Sequence, residues 1–142
     1  MTGPPAEIAG AAPAGFRILI VEDNADFAEL LEQLLTDWGH TTAVALDGRI
    51  ALERASTFAP DVVFIDIGLP GMDGCEVARA LRSAGAVQAK LVALSGYGER
   101  EHRQAAEAAG FDRYLVKPLV EDALAAMLAA FRSDPVGAGS RP

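Results

Sequence analysis

Residues 61–74 have the sequence DVVFIDIGLPGMDG, in which a short apolar run ends on an acid and passes into a segment rich in Gly and Pro. Residues 62–65 are apolar on both faces, which is typical of a strand buried in a parallel sheet. The Gly and Pro residues that follow interrupt regular structure and indicate a loop. Asp66 is therefore predicted where a buried strand opens into a loop, and its partly desolvated carboxylate needs a cationic partner there.

Apolar runs and segments of helical periodicity alternate through the rest of the chain. The predicted strands are residues 16–21, 41–46, 62–66, 90–94 and 111–116, and the predicted helices are residues 27–38, 48–58, 75–84, 99–109 and 119–131. Such alternation with short connections requires parallel strands and right-handed crossovers. We therefore predict an α/β fold, a (βα)5 doubly wound parallel five-stranded sheet with its ligand crevice at the carboxyl ends of the strands.

Both ends of the chain lack this periodicity. Residues 1–15 are rich in Gly, Ala and Pro, and residues 133–142 are rich in Gly, Pro and Ser, so each is predicted to be a flexible tail. Residues 16–132 are left as one domain, with enough chain to bury a sizeable core.

Composition excludes several functional classes. The formal net charge of −8 argues against nucleic acid as a direct partner. The single cysteine, Cys75, excludes an intrachain disulfide. The longest apolar segment, residues 123–131, is well short of the ~18 residues that a membrane span needs. Since the N-terminus also lacks the features of a signal peptide, we expect a cytoplasmic protein with no membrane partner.

Polar side chains follow four of the five predicted strands. Glu22 and Asp23 end the first, Asp66 the third, Ser95 the fourth and Lys117 the fifth. The carboxyl ends of parallel strands meet at one edge of a sheet, so these side chains should converge. Three crowded carboxylates repel one another, and a cation with oxygen ligands, such as Mg²⁺, relieves that repulsion. Metal, ammonium and hydroxyl groups around one carboxylate suit transfer of a phosphoryl group to it.

Four motifs in this order resemble the response-regulator receiver domain, the CheY-like family. They are VEDN at residues 21–24, DIGLPGMDG at residues 66–74, Ser-Gly at residues 95–96 and Lys-Pro at residues 117–118. The resemblance covers residues 16 to about 132 and implies the strand order 2-1-3-4-5. It also implies a regulatory domain rather than an enzyme, which accepts a phosphoryl group from a histidine kinase or a histidine phosphotransfer protein in two-component signal transduction.

The same resemblance assigns roles to the acids. It implies that Asp66 is the phosphoacceptor and that Asp23, Asp66 and the backbone carbonyl of Gly68 bind Mg²⁺ directly. Glu22 would act through a metal-bound water. Gly68 has no side chain that could orient an attacking water, so the sequence leaves open how long the phosphate persists.

The resemblance also assigns the groups that contact the phosphate and respond to it. Ser95 would donate a hydrogen bond to the phosphoryl group and Lys117 would pair with it, with a cis Lys117–Pro118 bond. Tyr114 matches the switch aromatic of the family, and Tyr97 could shield the site. The fourth helix, fifth strand and fifth helix are then the expected output face for a downstream protein or a second receiver.

Two other functional classes fit less well. A hydrolase of the haloacid-dehalogenase type also uses an Asp at a strand end, but it needs a second acid where this chain has Gly68. A flavodoxin-like cofactor site needs a phosphate-binding loop after the first strand, where residues 22–24 would repel phosphate. The short segment after residue 133 suggests a stand-alone receiver or one cut from a hybrid kinase.

Three further polar residues receive structural interpretations. Asp73 is predicted to cap the third helix. His40 and His102 lie in polar contexts and are predicted to be solvated, with no catalytic or metal-binding role.

Overall fold

The computed structural model describes residues 15–69, 71–84, 88–96 and 100–133, with the side chains of residues 100–103 excepted. The strands are β1 (Arg17–Val21), β2 (Thr41–Ala45), β3 (Val62–Asp66), β4 (Lys90–Ser95) and β5 (Arg113–Val116). The helices are α1 (Ala25–Asp37), α2 (Gly48–Phe58), α3 (Gly74–Ser83), α4 (Arg100–Ala109) and α5 (Glu121–Ser133). Tyr97, the side chain of His102 and all but the innermost residue of each predicted tail lie outside the described residues.

The strands form one sheet in the order β2-β1-β3-β4-β5, and every neighbouring pair is parallel. The predicted doubly wound (βα)5 fold is therefore confirmed. β1, β3 and β4 lie inside the sheet, and all the apolar residues of β3 are fully buried. Within the described part of the chain, no helix is both long and apolar enough to cross a membrane.

Helices cover both faces of the sheet, and the two apolar cores differ in the size of their side chains. One core lies under α1 and α5 and contains large residues such as Phe64, Leu124 and Phe131. The other lies under α2, α3 and α4, where Ala51, Ala78 and Ala109 are among the buried helical residues. The two faces are thus filled by different amounts of apolar side chain.

Short polar side chains set the helix starts as the sequence predicts. The Asn24 side chain accepts a hydrogen bond from the Phe27 backbone N–H at 3.0 Å and so caps α1. Asp73 caps α3 through a reciprocal pair of hydrogen bonds with Glu76, at 3.0 Å each. These bonds satisfy backbone N–H groups that have no partner inside the helix.

The fifth strand and fifth helix begin two residues later than their apolar patterns predict. Phe111 packs into the core under α2, α3 and α4 instead of entering the strand. Asp112 binds the edge of β4, since its carboxylate accepts a hydrogen bond from the Leu91 N–H at 2.8 Å. Leu119 likewise packs against the core under α1 and α5 from the connection that precedes α5.

His40 is buried, so the prediction of a solvated side chain is wrong. Its exposed fraction is 5%, and its ring stacks on Phe16 with 5.7 Å between the centroids. Its Nδ1 atom accepts a hydrogen bond from the Phe16 backbone N–H at 2.9 Å. Burial, helped by the nearby charge of Arg132, lowers the pKa of His40 to about 4. The folded protein therefore holds a neutral imidazole against Phe16, directly before β1.

We expect His40 to make the fold less stable in acid. The unfolded chain takes up this proton near pH 6.5 and the folded chain only near pH 4, so stability falls as the pH drops between these values. Each pKa unit is worth about 1.4 kcal/mol, which makes the loss at most about 3.5 kcal/mol. Urea unfolding of the wild type and of His40→Asn, whose amide oxygen can replace Nδ1 as acceptor without titrating, measures this. A stability difference between the two proteins that does not change with pH would contradict the prediction.

Candidate functional site

Three carboxylates converge at the carboxyl edge of β1 and β3. Glu22 follows the last residue of β1, Asp23 is the next residue, and Asp66 ends β3. One oxygen from each side chain lies within 4.8 Å of the others. β1 and β3 are parallel neighbours in register, so their carboxyl ends reach this edge together. Glu22 and Asp66 are buried, whereas Asp23 is exposed.

Glu22 is the most deeply buried of the three acids, with an exposed fraction of 1%. Desolvation raises the pKa of its carboxyl group, and the neighbouring charge of Asp66 acts in the same direction. Hydrogen bonds from Lys117 and from the Asn24 backbone partly offset that rise in the pKa. The Asn24 N–H donates to Oε2 at 3.1 Å, so the turn that starts α1 also holds this carboxylate.

Lys117 brings a positive charge into the same space. Its Nζ atom donates to Oε1 of Glu22 at 2.8 Å and lies 3.6 Å from Oδ2 of Asp66. Its backbone N–H donates to the Ser95 carbonyl at 2.7 Å, which fixes the end of β5 beside the end of β4. The Lys117–Pro118 peptide bond is cis, as predicted.

Two hydrogen bonds hold the chain at and just after Asp66. Its Oδ1 atom accepts a hydrogen bond from the Gly68 N–H at 2.9 Å, which fixes the rotation of the carboxylate. The Ile67 N–H donates to the Leu94 carbonyl at 2.9 Å and extends the pairing with β4 past the acid. Asp66 has an exposed fraction of 9%, so its carboxylate is accessible only at the edge of the sheet.

Gly74 has a structural role beyond the prediction from its sequence context, which indicates only that it belongs to a loop. A Cβ atom at this position would lie 2.5 Å from the Asp66 carbonyl oxygen and 2.5 Å from Cα of Ile67. Only hydrogen at position 74 allows α3 to begin this close to the end of β3. The signal in the sequence is its place directly after the helix cap Asp73.

Ser95 and Tyr114 lie on neighbouring strands near the acids. Ser95 ends β4 with an exposed fraction of 2%. Tyr114 is half-buried and pairs with Ala93, two residues before Ser95. Since side chains two apart on a strand share a face, Ser95 and Tyr114 lie on the same side of the sheet. Tyr97, predicted to shield the site, is outside the described residues.

The donor set suits a small divalent cation. Glu22, Asp23 and Asp66 supply carboxylate oxygens within 4.8 Å of one another, and Lys117 can offset only part of their charge. Carboxylates with a backbone carbonyl and waters are the ligands that Mg²⁺ takes in proteins. The site therefore combines a carboxylate at the edge of the sheet, two further acids that suit a cation and an ammonium group.

Comparison with known proteins supports this description. The family model described as "Response regulator receiver domain" matches residues 18–129. The transcriptional regulatory protein TcrA of Mycobacterium tuberculosis is 39% identical over 117 residues, which make up 82% of this chain and 46% of TcrA. The chain thus spans about half the length of the curated relatives it matches.

Solved structures show the same fold. The chemotaxis protein CheY4 of Vibrio cholerae has a TM-score of 0.78 and 29% identity, covering 82% of this chain and 98% of that one. The receiver domain of the sensor histidine kinase PA1611 of Pseudomonas aeruginosa has a TM-score of 0.77 and 28% identity, covering 84% and 99%. The PA1611 structure is described as having a magnesium ion coordinated in its active site cleft.

We expect Gly74→Ala to destabilise the fold by about 1–3 kcal/mol, because its methyl group would press on the backbone of Asp66. Gly68→Ala is the matched control, since a Cβ atom there would lie 3.6 Å from Oδ1 of Asp66, an ordinary contact. Urea unfolding compares the two variants with the wild type. Equal stability of the two alanine variants would show that the close approach at Gly74 has no energetic consequence.

Proposed function

Because the chain belongs to the response-regulator receiver domain family, we propose that Asp66 accepts a phosphoryl group from a histidine kinase or a histidine phosphotransfer protein. Receiver domains are regulatory domains of two-component systems. Neither the family model nor the similar proteins support the haloacid-dehalogenase alternative. The observation that carries the proposal is the Asp66 carboxylate at the edge of the sheet, 3.6 Å from the Lys117 ammonium and beside two further acids.

Mg²⁺ is the proposed cofactor. Asp23, Asp66 and the Gly68 backbone carbonyl would hold it directly, and Glu22 through a water, which agrees with the convergence of the three acids. When bound, Mg²⁺ supplies positive charge to the phosphoryl oxygens. The magnesium ion in the related PA1611 receiver domain supports this assignment.

Several residues of this chain would then take part in the phosphoryl transfer. An Asp66 oxygen forms a P–O bond while the P–N bond of phosphohistidine breaks and its electron pair returns to the imidazole. The Gly68 N–H holds Oδ1 and so orients the nucleophile. Lys117 moves its charge from Glu22 toward the phosphoryl oxygens, and the Ser95 hydroxyl donates to one of them. Hydrolysis of phospho-Asp66 would receive no help from a side chain at position 68.

We expect Asp66→Asn to lose incorporation of radiolabelled phosphate from acetyl phosphate with Mg²⁺, because the amide cannot act as the nucleophile. Asp73→Asn is the matched control: Asn also caps helices, so this variant should be labelled like the wild type. Chelation of Mg²⁺ with EDTA should abolish labelling of the wild type. Label in Asp66→Asn at the wild-type level would refute the assignment.

We propose that Ser95 and Tyr114 transmit phosphorylation to the face formed by α4, β5 and α5. The buried residues in the described part of α4 are Ala106 and Ala109, so little apolar surface holds this helix in place. A charge-assisted hydrogen bond from Ser95 to phospho-Asp66 is worth ~1.5–3 kcal/mol, which changes a population ratio about tenfold or more. As Ser95 moves inward, Tyr114 fills the space that it leaves.

The partner at this face would be a downstream protein or a second receiver. The net charge of −8 favours a protein over nucleic acid for this domain. TcrA is named as a transcriptional regulator, but this chain matches only 46% of its length, so the inference concerns residues 16–132 alone.

We expect Ser95→Ala to accept phosphate more slowly and to fail to transmit it. Amide exchange across residues 95–116 should change on phosphorylation of the wild type and stay unchanged in phosphorylated Ser95→Ala. Ser83→Ala, at the exposed end of α3, should respond like the wild type. The same exchange pattern in phosphorylated wild type and Ser95→Ala would disprove the coupling between Ser95 and Tyr114.

A further inference from the structure

The Lys117 ammonium has an aromatic neighbour that the proposed mechanism does not use. Its Nζ atom lies over the ring of Phe27, 4.5 Å from the ring centroid. On its other sides it meets Glu22 at 2.8 Å and Asp66 at 3.6 Å. A cation within about 6 Å of a ring centroid is attracted by the negative face of the aromatic system. The ammonium is thus held by two carboxylates and one ring.

The position of Phe27 is tied to the same turn that holds Glu22. The Phe27 N–H donates to the Asn24 side chain at 3.0 Å, and the Asn24 N–H donates to Glu22 at 3.1 Å. The first turn of α1 therefore places the carboxylate and the ring together. The Lys117 backbone is fixed independently, through its hydrogen bond to the Ser95 carbonyl at 2.7 Å. The ring and the lysine are thus aligned from two separate elements.

We infer that Phe27 is a positioning residue that holds the Lys117 ammonium at the edge of the site, through the face of its ring, ready to meet the phosphoryl group. The inference rests on the proposed phosphorylation of Asp66. Glu22 alone would draw the ammonium toward the buried side of the cluster. The ring attracts the same charge but offers no oxygen that would compete with a phosphoryl group for its hydrogens. The Lys117 side chain is 23% exposed, so the ring also replaces part of its water.

Phe27 also contributes to packing, and the test must separate the two roles. Its side chain packs against the core under α1 and α5, and it lines an apolar groove of about 480 Å³ between α1 and the start of α5. Phe27→Leu keeps an apolar side chain but removes the ring. Phe27→Tyr keeps both. Phenylalanine analogues with one, two or three ring fluorines at position 27 weaken the negative face of the ring stepwise with little change in shape.

The first measurement needs neither metal nor phosphate. A double-mutant cycle compares urea unfolding of the wild type, Phe27→Leu, Lys117→Met and the double variant without Mg²⁺. We expect Phe27→Leu to shift the unfolding equilibrium about three- to tenfold more when Lys117 is present than when it is replaced, since the cation–π contact is lost only in the first case. Equal shifts in the two backgrounds would overturn the inference.

The second measurement is the rate of Asp66 phosphorylation by acetyl phosphate with Mg²⁺. This small donor avoids the groove, where a protein donor would report on docking as well. We expect the phosphorylation rate of Phe27→Leu to be about three- to tenfold lower than that of the wild type, and the rate of Phe27→Tyr to equal it. The rate should also fall stepwise with each ring fluorine. Fluorinated proteins that all react at the wild-type rate would overturn the positioning role.

Failure of this inference is distinguishable from failure of the proposed function. If Asp66→Asn loses its label while Phe27→Leu and the fluorinated proteins keep the wild-type rate, Asp66 remains the acceptor and Phe27 has no positioning role. If Asp66→Asn keeps its label, the proposed function is wrong and the positioning role for Asp66 phosphorylation falls with it. The metal-free cycle then still reports whether Phe27 and Lys117 interact.

Discussion

Mutual repulsion among Glu22, Asp23 and Asp66 is the constraint around which the site is built. The parallel sheet brings the carboxyl ends of β1 and β3 to one edge, and the three acids come with them. An isolated buried charge is costly, so the cluster needs positive charge from elsewhere in the chain. Lys117 supplies this positive charge from the carboxyl end of β5. The end of the last strand therefore balances negative charge at the end of the first strand.

The fold and the convergence of the candidate site residues could be predicted because they depend on patterns with simple geometric consequences. Alternating apolar runs and helical stripes specify parallel strands, and parallel strands bring their carboxyl ends together. Asp66 and Lys117 lie far apart in the chain yet meet at 3.6 Å because Asp66 ends β3 and Lys117 directly follows β5 in the same sheet. Helix caps such as Asp73 could also be predicted from the sequence, because the hydrogen bond that defines a cap joins residues only three positions apart.

The features that sequence reasoning missed depend on contacts between elements. His40 reads as a solvated polar residue, but it is buried because Phe16, 24 positions away, supplies both a ring and an N–H group. Gly74 resembles any loop glycine until the approach of α3 to Asp66 is known. The sequence presents Phe27 as one more apolar position of α1, and its contact with Lys117 joins residues that lie far apart in the sequence. No periodicity or local motif encodes such pairings.

The small buried side chains of α4 affect how easily the surface of this helix can change in evolution. Ala106 and Ala109 remove little apolar area from water, so the docking of this helix contributes a small share of the total stability. The core on the opposite face of the sheet, with Phe64, Leu124 and Phe131, does not depend on this helix. Substitutions on the outer surface of α4 can therefore accumulate without unfolding the protein. New binding specificities can evolve there while the acid cluster at the sheet edge stays unchanged.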